Sequence, residues 1–126
     1  MRLIRGSDLP FVPASHENPK NPGVLKRVLA TRDDLLAGRV QMLNWARLPA
    51  GRSFQLHYHE DMQEVFVIVA GQAQMSVGDE TMALGPGDAI IVDPREAHQM
   101  EAEPTEDVDY LVFGITLDQG GKTVVV

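Results

Sequence analysis

The sequence predicts an all-β sandwich or barrel preceded by an irregular N-terminal arm. Two observations carry this. From Val40 onward, short apolar, β-branched runs are separated by turn signals roughly every ten residues. Helical periodicity is almost absent over the same stretch.

The elements follow in order. Residues 1–25 hold Pro10, Pro13, Pro19 and Pro22 with Gly6 and Gly23, which opposes regular helix. Leu9, Phe11, Val12, Val24 and Leu25 are too apolar for a free tail, so residues 1–39 are read as an arm packed on the barrel or on a dimer partner. A single weak helical turn is expected at Thr31–Leu36, with Thr31 as cap and Asp33 and Asp34 in its first turn. The barrel, residues 40–126, opens with a strand at Val40–Leu48, broken by Pro49-Ala50-Gly51. Strands are expected at Ser53–His59, at Glu64–Ala70, and at Gln72–Val77, whose alternation has a period of two. Gly78-Asp79 reads as a hairpin turn into Glu80–Leu84. Ala89–Val92, Ala97–Glu101, Val108–Ile115 and a last edge strand at Lys122–Val126 complete the set. Glu101–Asp109, with five acids in nine residues, reads as a solvated loop.

Composition removes several function classes. The chain has 126 residues, 44% of them hydrophobic, enough for one domain with its own core. Without cysteine it has no disulfide frame, thiolate nucleophile or sulfur-ligated metal cluster. Lys and Arg total 11 against 18 Asp and Glu, and a net charge of −7 would repel a nucleic-acid backbone. No apolar run is long enough to span a bilayer, and Met1–Gly6 lacks the apolar core of a secretion signal. A cytoplasmic protein with no membrane or nucleic-acid partner is therefore expected.

The histidines carry the chemistry. His57 and His59 share a strand face, about 6.7 Å apart along the chain, so both imidazoles can lean onto one ion. A turn at Glu60–Gln63 would bring the carboxylate of Glu64 back beside them, and His98 lies on a later strand. Three neutral imidazoles and a carboxylate suit a divalent transition ion. His16, in the arm, is read as an ordinary surface histidine, and Trp45 and the six methionines as core or interface.

The segment Gly51-x5-His57-x-His59-x4-Glu64-x6-Gly71 resembles the first motif of the cupin superfamily at every fixed position. Gly87-x5-Asp93-x-Arg95-x2-His98 resembles the second, with Asp93 in place of the usual Pro, Arg95 in place of Gly, and Ala102 in place of Asn. The resemblance covers about residues 40–115 and extends to small bacterial single-domain cupins. It implies a double-stranded β-helix, or jelly-roll, barrel. It implies one divalent ion per chain (manganese, iron, nickel, zinc, cobalt or copper) held by His57, His59, Glu64 and His98, and a homodimer. Asp93 and Arg95 place two charges near the barrel mouth, to pair with each other or to steer a charged ligand.

Strand parity nominates pocket walls. Gln55 shares parity with His57, Phe66 with Glu64, and Met100 with His98. Parity cannot choose between Tyr110 and Phe113, since that strand is apolar on both faces. Four protein ligands leave a six-coordinate ion two positions for a small oxygenated molecule, such as a keto, hydroxy or sugar acid. That permits a dioxygenase, or a Lewis-acid isomerase, decarboxylase or lyase. The alternative is a non-catalytic module that binds the small molecule through the ion. Proton transfer would need an acid or base, for which the motif region offers Tyr58, Glu60, Asp61 and Asp93.

Overall fold

The computed structural model describes residues 1–116 and 122–126. Eleven strands form two antiparallel sheets, and the described residues include no α-helix. The strands are β1 (Val12–Pro13), β2 (Leu25–Thr31), β3 (Val40–Leu48), β4 (His57–His59), β5 (Met62–Ala70) and β6 (Ala73–Val77). They continue with β7 (Glu80–Leu84), β8 (Ala89–Val92), β9 (His98–Ala102), β10 (Val108–Thr116) and β11 (Thr123–Val125). One sheet has the order β1-β2-β3-β10-β5-β8, the other β11-β4-β9-β6-β7. Facing antiparallel sheets with these crossovers make a jelly roll.

Alternation sets the layers. β5 buries Met62, Glu64, Phe66 and Ile68 while the residues between them face outward. β9 likewise buries His98, Met100 and Ala102. The two inner faces enclose Leu48, Phe54, Phe66, Ile68, Met75, Met100 and Val108, all nearly or fully buried. Each large apolar side chain buried this way contributes about 1.5–3 kcal/mol.

The arm differs from the sequence expectation. Residues 25–31, placed there with the arm, are strand β2, paired with β3 from Leu25↔Arg47 to Thr31↔Met42. Their short, charge-interrupted pattern hid a strand that lies between β1 and β3. The expected helical turn is two 3₁₀ turns, Arg32–Asp34 and Leu36–Gly38. Thr31 does define the start, since the Asp34 carboxylate accepts from its backbone N–H at 2.9 Å and its hydroxyl at 3.0 Å. Upstream, Phe11 is covered by the Arg27 and Arg47 guanidinium groups, 4.2 and 4.6 Å from its ring centre. Arg47 in turn makes a forked bond to Asp109 on β10, at 2.8 and 3.0 Å, and Trp45 donates to the same carboxylate at 2.9 Å. The arm is thereby fixed to the outer face of the six-stranded sheet.

The expected last strand forms as β11 and pairs with β4 at the edge of the five-stranded sheet, Thr123 opposite His59. Gly71 ends β5 at φ 88°, and a Cβ there would come within 2.2 Å of the Asp107 carbonyl oxygen. The first motif ends on glycine because any other side chain would collide with that backbone.

Candidate metal centre

His57 and His59 project inward from β4, Glu64 from β5 and His98 from β9. His57 and His98 face each other across the β4–β9 ladder. One ligand atom from each of the four residues lies within 4.8 Å of the others, and all four residues are buried. Three of the ligands belong to the five-stranded sheet and Glu64 to the six-stranded one.

Hydrogen bonds decide which nitrogen faces inward. His57 Nδ1 lies 2.6 Å from the Gln55 carbonyl oxygen, and His98 Nδ1 lies 2.9 Å from that of Glu96. A carbonyl only accepts, so each Nδ1 carries the proton and each Nε2 offers its lone pair. His59 Nδ1 lies 3.0 Å from the Thr123 hydroxyl, which orients the third ring and can donate to it or accept from it. Orienting contacts of this kind accompany metal-ligating imidazoles.

The cluster fits a cation on its own chemistry. His59 Nε2 is buried 2.7 Å from Glu64 Oε1, yet the alignment is not that of a hydrogen bond and the nitrogen has no partner. His98 Nε2 lies 3.0 Å from the same oxygen. Two imidazole nitrogens crowd one buried carboxylate oxygen: carrying protons they hold it as an anion, and offering lone pairs they need a divalent ion in the protons' place. Burial pushes the Glu64 carboxyl up, but contacts from His59 and His98 outweigh it and hold the pKa at about 2. Burial lowers His57 to about 4. The set thus presents an anion and a neutral imidazole at neutral pH, as a transition ion requires.

The turn before His98 closes without the usual Pro and Gly. Arg95 takes a left-handed φ of 70°. Its N–H donates to the carbonyl of His59 at 2.7 Å, tying the turn to a ligand strand. Asp93 accepts from Gln63 at 2.8 Å, and its own N–H donates to Glu96. Ala102 is buried opposite Ala73.

A cavity of about 370 Å³ opens onto this centre. Its wall is built from the arm (Ala14, Ser15, His16), from Lys26, Val28 and Ala30 on β2, from Met42, Asn44 and Ala46 on β3, and from Tyr110 and Val112 on β10. Phe66 lines it. Met100, also inward, is fully buried in the core against its ladder partner Met75. Gln55 is not among the lining residues. β4 begins only at His57, so parity counted back from it does not reach Gln55. Tyr58, Glu60, Asp61 and Asp93 do not line the cavity either.

His16 corrects the sequence reading. Its ring lies 4.3 Å from that of His57, tilted by 36°, and its Nε2 is buried without a partner. Burial lowers its pKa to about 4. The arm is held there because Ala14 donates to Val24 and Glu17 accepts from the Gln55 N–H at 3.2 Å. The sequence reading does not reach Lys26 or Asn44, and of Tyr110 and Phe113, left open by parity, Tyr110 lines the cavity. The signal for Lys26 was the i, i+2 face it shares with Val28 and Ala30, legible only once β2 is known as a strand.

The Cupin domain family matches residues 44–114, and the chain belongs to that family. It is 30% identical over 71 residues, 56% of this chain and 59% of the relative, to an oxalate-binding protein of Thermotoga maritima. The chain spans less than two thirds of the length of the curated relatives it matches. A predicted oxalate decarboxylase of Thermotoga maritima has a similar fold, with TM-score 0.82 and 23% identity, covering 92% of this chain and 100% of that one. The polyketide cyclase RemF of Streptomyces resistomycificus has TM-score 0.81 and 22% identity, covering 100% of this chain and 85% of that one. No helix among the described residues is long and apolar enough to cross a membrane.

Proposed function

We propose that the chain is a metal-dependent enzyme acting on a small oxygenated molecule that has an apolar body. The observation that carries this is the cavity of about 370 Å³ lined by three of the four buried candidate ligands, His57, His59 and Glu64, a volume in the range of small-molecule sites. A two-carbon acid such as oxalate, named for one relative, would leave most of that space to water. Val28, Ala46, Phe66 and Val112 supply an apolar wall for a larger molecule. His57, His59, Glu64 and His98 would hold the ion, which when bound polarises a carbonyl or enol oxygen as a Lewis acid. Glu64 remains anionic beside it. His16 and Tyr110 line the cavity beside apolar neighbours and can hydrogen-bond substrate oxygens. The reading includes a homodimer.

One observation favours the second reading, a non-catalytic binding module. The four acid–base candidates near the motifs stay out of the cavity. The two separate experimentally. Protein loaded with zinc, manganese or iron is incubated in D₂O with aryl 1,3-diketones and aryl 2-oxo acids. Deuterium entry next to the carbonyl is followed by NMR and dioxygen uptake by electrode. Metal-dependent exchange or uptake, lost in His57→Ala, supports the enzyme. Saturable binding with neither leaves the binding module.

A further inference from the structure

The cavity holds a charged group that the metal centre does not use. Lys26 lies on β2, in the wall with Val28 and Ala30. Its ladder neighbours are Val12 on β1 and Ala46 on β3, neither of them charged. Among the described residues, no carboxylate forms an ion pair with its ammonium group. Glu64 is the single carboxylate among the described lining residues, and His59 and His98 already engage it. Burial lowers the Lys26 pKa, and its charge acts on the neighbouring His16. An ammonium half removed from water recovers its lost hydration from hydrogen-bond acceptors, and most strongly from an anionic one. The interior is cationic once a divalent ion sits on the four ligands, although the chain as a whole carries −7.

From this placement we infer that Lys26 receives a second, anionic group of the substrate. The substrate class is then an oxygenated chelating head for the metal centre, an apolar body, and a carboxylate or comparable anion that meets the β2 wall. The inference rests on the metal-centred reading above and extends it to substrate selection.

The test uses nickel- or zinc-loaded protein and calorimetric titration with substituted 2-hydroxybenzoates, which chelate through adjacent oxygens. The probes carry either a methyl or a carboxylate group at ring position 4 or 5. In the wild type, the carboxylate probe of at least one position is expected to bind about tenfold or more tighter than its methyl partner. Lys26→Met should abolish that gain while the methyl probes still bind within about twofold of wild type. Lys26→Arg should retain it, and Lys26→Gln replaces the methionine variant if that fails to fold. An equal gain in the neutral variant, or no gain in the wild type at either position, overturns the inference. Failure of the methyl probes to bind loaded wild type overturns the metal-centred reading and this inference with it.

Discussion

Thr123→Val isolates one orienting contact of the metal centre. Two of the three imidazoles are aimed by backbone carbonyls, which substitution cannot remove, whereas His59 Nδ1 rests on the Thr123 hydroxyl at 3.0 Å. Valine has nearly the same shape and favours strands, so the pairing of Thr123 with His59 across β11 and β4 is expected to persist. The ring would lose the contact that holds its orientation. Loss of such a contact typically costs roughly 10- to 100-fold in metal affinity, or about 1.4–2.7 kcal/mol. Thr123 is half-buried and His59 buried, so the bond is partly shielded from water. The assay is competition for zinc or cobalt against a chromogenic chelator, with Thr123→Ser as the variant that keeps the hydroxyl. The reasoning predicts weak binding by the valine variant and near wild-type binding by the serine one. Valine and wild-type affinities within about twofold of each other, or an equal loss in both variants, would refute it.

Other expectations follow from the same geometry. Asp109→Asn breaks the forked bond to Arg47 and weakens that to Trp45, and should destabilise the fold by about 2 kcal/mol in urea titrations followed by the fluorescence of Trp45, the sole tryptophan. Burial pushes the Asp109 carboxyl up, but Arg47 and Trp45 more than offset this and leave it below its ordinary value. Its contribution is therefore present above about pH 4 and lost as pH falls through the folded value, so wild type and variant should converge in acid. Arg95→Gly relieves a left-handed backbone at φ 70° and should stabilise the protein by roughly 1 kcal/mol in the same titration, the N–H bond to His59 being kept. His57→Ala should lose most bound metal by elemental analysis while far-UV circular dichroism stays that of a β protein, because the core residues around Met75 and Ile68 are untouched. Light scattering at micromolar concentration should give the mass of a dimer, and a monomeric mass would remove that part of the proposal.

Three of the candidate ligands were legible because their spacing is local, whereas His98, 34 residues from Glu64, came from the resemblance to the second motif. His57 and His59 are one residue apart, and a single turn returns Glu64 to the pair. The cavity was not legible, because its wall is assembled by register between distant strands. Lys26 reaches it only through the pairing of β2 with β3, and Asn44 only through that of β3 with β10. Tyr110 and Phe113 sit on a strand apolar on both faces, so only the ladder shows that Tyr110 turns inward. The arm was harder still. A proline-rich stretch gives no periodicity, and nothing local signals that Glu17 will accept from Gln55 and carry His16 onto His57.

The division of ligands between the sheets gives an ion a mechanical part in the fold. With His57, His59 and His98 on one sheet and Glu64 on the other, coordination would rivet the two layers together. Binding to the native state alone adds stability in proportion to the logarithm of ion concentration over its dissociation constant. Here that stability would fall on the motion that parts the layers, so the fluctuations most suppressed are those that open the sandwich. Amide hydrogen exchange should slow together along β4, β5 and β9 on metal loading, while the edge strand β7, which carries none of the candidate ligands and pairs only with β6, should keep its own rate.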